Sequence, residues 1–246
     1  MKISGLILTE NEAPYYLKEC IESALKVCDE LIIVDSDGRD TPHIYKWFDG
    51  DERIKTVIRP FDNPTDYTGN RNYGRQFCKG DYIFNLDADE ILGDQSYLIR
   101  RTLEENPGIE AWDLQGEHFI YHLGLVDNSV KEHTWLVRIH KNLDRISYPS
   151  NTMHGLPTGW KTQRRIPGTQ IFHMGYIKHE TKRIIEKYHK NMKYREMHTE
   201  EYLKDYKNAH LFGEYPVRPF NKALLPMELK ELFKLEDEIY AEARTN

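Results

Sequence analysis

The stretch ISGLILTENEAPYYLKECIESALKVCDELIIVD, Ile3 to Asp35, decides the fold. It opens on an apolar run, Ile3–Leu8, and passes a polar turn. Leu17, Ile21, Ala24 and Leu25 then recur at helical spacing within Pro14–Val27, and a second apolar run, Glu30–Val34, follows. Short runs that are apolar throughout belong to strands buried on both faces, and two of them joined by an amphipathic helix make a crossover unit of a parallel sheet. Outward from there the pattern repeats. Thr41–Phe48 reads as a helix, Arg53–Arg59 as a third strand, Gly69–Cys78 as a helix and Asp81–Leu86 as a fourth strand. Such sheets collect their functional residues at the carboxyl ends of strands, where strand order reverses.

After Leu92 the pattern changes. A helix over Gln95–Glu105 ends at Pro107-Gly108, and the aromatic, alternating stretches Ala111–His122 and Thr134–His140 read as antiparallel strands that complete the sheet. Tyr176 to Tyr206 reads as a long helix with Ile184, Ile185, Tyr188 and Met192 on one face. NAHLFGEYPVRPFN, Asn208 to Asn221, reads as a linker, and Pro226–Ala243 as a last helix with an acidic polar face. The expected class is therefore α/β, a Rossmann-type, mostly parallel central sheet flanked by helices, with C-terminal helices. We expect one domain over residues 1–246, in three stretches, 1–92, 93–175 and a C-terminal helical region, 176–246.

Whole-chain properties narrow the function. The 246 residues carry 34 Lys plus Arg against 40 Asp plus Glu, a formal charge of -6, which argues against a dedicated nucleic-acid binder. Cys20, Cys28 and Cys78 form no metal-binding pattern and read as reduced core thiols of a cytoplasmic protein. The apolar start, Ile3–Leu8, is too short for a signal-peptide core or a membrane span. Lys178, Lys182, Lys187 and Lys190 line one face of the long helix, read as a solvated face, with contact to a phospholipid-linked partner at a membrane as the alternative.

NLDADE, Asn85 to Glu90, puts three carboxylates in four positions directly after an apolar strand. Neighbouring anions repel, and a hard cation is the usual compensation. Asp87 and Asp89, two apart on an extended segment, would point the same way, toward a Mg²⁺ or Mn²⁺ that also holds phosphate oxygens. A solvated acidic turn fits the same residues. Asp35, closing the second strand, is placed to meet a ribose or a base, while Asp40-Thr41-Pro42 reads as a helix cap. Thr9-Glu10-Asn11-Glu12 ends the first strand, where backbone donors and Asn11 can meet a ligand. Arg71, in GNRNYGRQFCKGD, is the only cation beside the expected strand ends, and guanidinium suits a diphosphate; a surface ion pair is the ordinary alternative.

Taken in order, ILTENEAPYYLKECIESAL, IIVDSDGRDT, NRNYG and GDYIFNLDADE resemble the large family of inverting nucleotide-sugar glycosyltransferases numbered family 2, with the GT-A fold. The branch most similar is that of lipopolysaccharide-core glucosyltransferase-like proteins. The resemblance covers residues 2–92 and thins afterwards, where VRIHKN (137–142), MHG (153–155) and IFHMGY (171–176) look like family segments. It implies that 1–92 is a nucleotide-sugar-binding half and 93–175 an acceptor half, and that a sugar passes from a nucleotide diphosphate donor, foremost a UDP-sugar, to a hydroxyl of a glycan, lipid-linked or protein acceptor. It also implies that Thr9, Asn11, Glu12, Asp35 and Arg71 line the nucleotide, that Asp87 contacts ribose or metal, and that Asp89 binds Mn²⁺ or Mg²⁺. His173 would complete the metal site, or serve as an ordinary hydrogen-bonded residue. The branch often has His-Glu where this chain has His154-Gly155, so the catalytic base falls to His154 or Glu132, with Glu117 and Asp127 behind them.

Two rivals come from other classes. IIVDSDGRD also resembles the nucleophile motif of haloacid-dehalogenase phosphohydrolases, which are Mg²⁺-dependent, but Arg39 stands where that motif has Thr or Val. A catalytically inactive transferase fold kept for binding draws its support from the missing carboxylate after His154.

Overall fold

The computed structural model describes residues 1–60, 67–121, 123–128, 134–149, 156–177, 217–221, 224–226 and 229–230. Four parallel strands, β1 (Ile3–Thr9), β2 (Glu30–Asp35), β3 (Ile54–Ile58) and β4 (Tyr82–Asp87), lie in the order β4-β1-β2-β3. Their crossovers carry α1 (Leu17–Leu25), α2 (Thr41–Trp47) and α3 (Tyr67–Arg75). The continuous apolar runs follow from burial on both faces. Ile3 and Ile7 of β1, Leu31 and Ile33 of β2, and Phe84 and Leu86 of β4 face a core with Leu17, Cys20, Ile21 and Ala24 of α1. Leu6, Leu8, Ile32, Val34 and Ile83 face the other way, against Tyr67, Tyr73 and Phe77. Gly74 lets α3 lie this close, because a Cβ there would come within 2.5 Å of Leu6 Cδ1 and 2.6 Å of Val34 Cγ2. The three cysteines are free and buried, and burial pushes the Cys78 thiol up to about 12.

The second half adds β5 (Glu90–Leu92), a 3-10 turn (Asp94–Ser96), α4 (Tyr97–Glu105), β6 (Ala111–Tyr121), β7 (Leu125–Asp127), β8 (Thr134–Lys141), β9 (Gln163–Ile177) and β10 (Val217–Pro219). β8 pairs antiparallel with β4, so the sheet runs β10-β7-β6-β8-β4-β1-β2-β3 through both halves, while β9 pairs with β6 and β5. A second apolar cluster, with Tyr16, Phe119, Phe172, Met174, Phe220, Leu225 and Leu229, closes this side.

Two expectations need correction. Tyr176 and Ile177 end β9 instead of opening a helix; the remainder of that expected helix, with its lysine face, lies outside the described residues. Val217–Pro219, expected within a linker, pairs with β7. In the expected last helix, Leu229 and Lys230 are helical and most of the rest lies outside the described residues. β9 itself is hidden in the sequence by Pro167-Gly168. Its pairing with β6 jumps from Arg165 opposite Asp113 to Gln170 opposite Gln115, a bulge that breaks the alternation by which a strand is read.

Candidate active site

β1, β2 and β4 end side by side, with Thr9 in register with Asp35 and Leu8 with Asp87. Asp35 is fully buried. Its oxygens accept hydrogen bonds from the backbone N–H groups of Asp37, Gly38 and Thr41 and from the Thr41 hydroxyl at 2.7 Å. Asp40, expected as a cap, instead ties the β1–α1 loop to β2: it accepts from the Thr9 hydroxyl, from Glu12 N–H at 2.9 Å and from Ala13 N–H at 2.8 Å. Within that loop Asn11 takes φ 57°, the left-handed region that asparagine tolerates better than most residues. A ribose or base therefore reaches Asp35 only by displacing donors of its own turn. An aspartyl nucleophile there, as a phosphohydrolase needs, is equally enclosed.

The end of β4 is built differently. Arg71 reaches from α3, its side chain 2% exposed, and donates from Nη2 to Asp87 Oδ1. Its Nε and Nη1 are buried with no hydrogen-bond partner among the described residues. It is not the only cation here, as the sequence suggested, because β8 brings Arg138. This second guanidinium, 5% exposed, donates to Asp87 Oδ2 at 3.1 Å and to Glu90 Oε1. Glu90 Oε2 accepts the backbone N–H of Asp87 at 3.0 Å. Burial would raise the Asp87 carboxyl, but Arg138 and Arg71 outweigh it and hold the group below its ordinary range. At Glu90 burial prevails over Arg138 and pushes the carboxyl up, to about 8. Arg138 lies 51 residues from Asp87 in sequence, so its only trace there was membership in VRIHKN.

Asp87 and Asp89 part company, contrary to the extended geometry expected. The chain turns at Ala88-Asp89 between β4 and β5, and Asp89 faces β9. The register pairing Glu90 with His173 sets His173 Nε2 3.5 Å from Asp89 Oδ1, and Met174 N–H donates to the Asp89 carbonyl at 2.8 Å. Gly175 makes room, since a Cβ there would lie 2.7 Å from Asp89 Oδ2 and 2.7 Å from His173 Cε1. On the far side of His173 stands His118 of β6, unnoticed in the sequence, with its Nδ1 3.2 Å from His173 Nδ1. Burial lowers the His118 pKa.

These positions bear on a cation. Among the described residues no three His, Cys, Asp or Glu side chains gather as a ready metal site. Asp89 and His173 do fit two adjacent positions on a Mg²⁺-sized ion, whose bonds near 2.1 Å set neighbouring ligands about 3 Å apart. Such ions take their other ligands from phosphate oxygens and water. His154 and Glu132, the candidate bases, lie outside the described residues. Of the reserves, Glu117 is buried and paired with Arg218 at 2.9 Å, and Asp127 closes β7.

A mostly parallel α/β sheet extended by antiparallel strands, with acidic residues at the turn after its central strand, is the architecture of GT-A glycosyltransferases. The fold is similar to that of S. aureus TarS 1-349 in complex with UDP-GlcNAc, at TM-score 0.53 and 12% identity over 71% of this chain and 58% of that one. It is also similar to the mannosyltransferase PcManGT from Pyrobaculum calidifontis in complex with GDP-Man and Mn²⁺, at TM-score 0.51 and 14% identity over 76% and 61%. Residues 4–105 match the model of glycosyl transferase family 2. The lipopolysaccharide core biosynthesis glycosyltransferase LpsC of Rhizobium meliloti is 27% identical over 160 residues, 63% of this chain and 57% of LpsC. An uncharacterized glycosyltransferase of Rickettsia bellii is 36% identical over 94 residues, 38% of this chain and 30% of that protein. The chain thus spans less than two thirds of the length of these relatives. Among the described residues no helix is long and apolar enough to cross a membrane.

Proposed function

We propose that the chain is a single GT-A-like domain that transfers a sugar from a nucleotide diphosphate donor, a UDP-sugar foremost, to a hydroxyl acceptor with inversion, in the cytoplasm. The observation that carries this reading is Arg71, a buried guanidinium at the strand ends with two nitrogens unpartnered, beside Asp87 in a family 2 segment. A buried cation with open donors is a site for an anion, and diphosphate is the anion that this fold binds in its similar structures.

In this reading Thr9, Asn11 and Glu12 border the nucleotide from the β1–α1 loop, Asp35 shapes the opposite turn, and Asp87 faces the ribose while Arg71 and Arg138 hold its carboxylate. Asp89 and His173 would hold a Mn²⁺ or Mg²⁺, and such an ion would supply charge neutralisation at the diphosphate. Arg71 draws the same charge from the strand side, in a buried setting where a fixed cation acts more strongly than in water. Inversion requires a base on the acceptor side, opposite the diphosphate, and that group is His154 or Glu132. The acceptor is a glycan, a lipid-linked sugar or a protein hydroxyl.

The test is release of free nucleotide from a panel of nucleotide sugars with Mn²⁺ or Mg²⁺, together with melting of the protein in UDP with and without Mn²⁺. Metal plus UDP is expected to stabilise more than UDP alone; ligand at about 100 times its dissociation constant contributes ~2.7 kcal/mol. Asp89→Ala is expected to remove the metal-dependent increment and to lower turnover by roughly 10²–10³, the scale of losing one preorganised charge-stabilising group. Equal melting shifts with and without metal, or near-normal transfer by Asp89→Ala, would refute the metal-bridged site.

A further inference from the structure

We propose that His118 is a positioning residue for the cation site: it accepts the Nδ1–H of His173 and so presents the Nε2 lone pair of His173 to a divalent cation beside Asp89. The inference rests on the reading of Asp89 and His173 as cation ligands.

The argument starts from register. β6 and β9 run parallel with His118 and His173 as partners, which sets the ring centroids 4.9 Å apart, tilted by 60°, with Nδ1 facing Nδ1 at 3.2 Å. Two ring nitrogens at that distance share one proton, because a neutral imidazole carries its hydrogen on one nitrogen and a lone pair on the other. The ring that donates through Nδ1 keeps its lone pair at Nε2. For His173 that Nε2 is the atom facing Asp89 Oδ1 at 3.5 Å. A lone pair set against a carboxylate is repulsive by itself and favourable with a cation between them, whereas an N–H there would donate to Asp89 and leave the cation no ligand.

The direction of the shared proton therefore decides whether His173 can ligate, and His118 is the group that fixes it. Leu114, Leu136 and Ile171, together with Glu90 and Arg138, line a small cavity beside the two rings, and each Nδ1 has the other as its partner at 3.2 Å. When His118 accepts at Nδ1 it carries its own proton on Nε2. Orientation of a ligating histidine through its second nitrogen is general at metal sites, and its loss costs 10–100-fold in metal affinity.

The experiment measures Mn²⁺ affinity by electron paramagnetic resonance, with saturating UDP, for wild type, His118→Leu, His118→Asn and Asp89→Asn. Asparagine sets an amide oxygen near the former Nδ1 and keeps the acceptor; leucine removes it. The expected result is 10–100-fold weaker Mn²⁺ binding by His118→Leu, near wild-type binding by His118→Asn, and unchanged metal-free UDP binding in both. Wild-type affinity in His118→Leu, or equal loss in the two His118 variants, would overturn the positioning role with the cation site intact. Failure of the wild type to bind Mn²⁺, or no loss in Asp89→Asn, would overturn the cation reading instead. Should His118→Leu not fold, imidazole ¹⁵N spectra of the wild type with UDP decide: Mg²⁺ is expected to bring His173 to the Nδ1–H form, and persistence of Nε2–H with Mg²⁺ bound would refute the proposal.

Discussion

The carboxyl ends of β2 and β4 are both crowded with carboxylates, and they neutralise them by opposite means. At β2, Asp35 and Asp40 are met by backbone N–H groups and hydroxyls of neighbouring turns. At β4, Asp87 and Glu90 are met by the full charges of Arg71 and Arg138, carried in on α3 and β8. Backbone donors are fixed where the chain puts them, so the β2 end is scaffold. Guanidinium groups can exchange one anion for another, so the β4 end can receive a ligand.

The contrast breaks most visibly at Arg138. Arg138→Met leaves Glu90 buried beside Asp87 without its cation and is expected to cost about 3–5 kcal/mol by denaturant unfolding. Adding Glu90→Leu should recover most of that, because an apolar pair of similar volume avoids burying a guanidinium and a carboxyl that loses its partner. No recovery would mean that Arg138 matters through packing.

Acid should act on the same side of the molecule. His140 of β8 is fully buried between the Lys141 carbonyl and the Tyr148 hydroxyl, and burial lowers its pKa from 6.5 to about 4. The unfolded chain takes up the proton first, so this contribution to stability is constant above about pH 6.5 and falls as pH drops toward 4, by roughly 3 kcal/mol in all. The melting temperature of His140→Gln followed from pH 7 to 4 should fall less steeply than that of wild type.

At the scaffold end the expected effects are smaller. Asp40→Ala deprives the Thr9 hydroxyl and two N–H groups of their acceptor, a loss of about 2 kcal/mol measured by thermal unfolding, with no change in the Mn²⁺ increment. Asp35→Asn should move least: a donor KM raised severalfold with kcat nearly unchanged, as for binding shared by ground and transition states. A large kcat loss would make Asp35 part of the chemistry and erase the distinction.

The same contrast separates what was legible from what was not. β1 to β4 announce themselves as apolar runs spaced by helical patterns, and NLDADE marks the end of β4 by composition alone. β5, β7 and β10 have three residues each, too few for any period to register. Arg138 and His118 were missed because strand register, across 51 and 55 residues of sequence, brings them to Asp87 and His173. The turn at Ala88-Asp89, which sends Asp87 and Asp89 to different partners, replaces the extended geometry assumed for the motif.

The bulge in β9 has a use beyond disguising the strand. Between Arg165 and Gln170 the exposed Pro167 and Gly168, the latter at φ 80°, stand clear of the β6 ladder, while paired residues on either side hold their places. Chain length can vary there without sliding His173 along its neighbours, so homologous genes should tolerate small insertions at this spot more readily than within the continuously paired run Gln170–His173. For the protein engineer it is a splice point, where a short epitope or a fluorophore-bearing peptide can be introduced at the rim of the sheet while the cation site keeps its register.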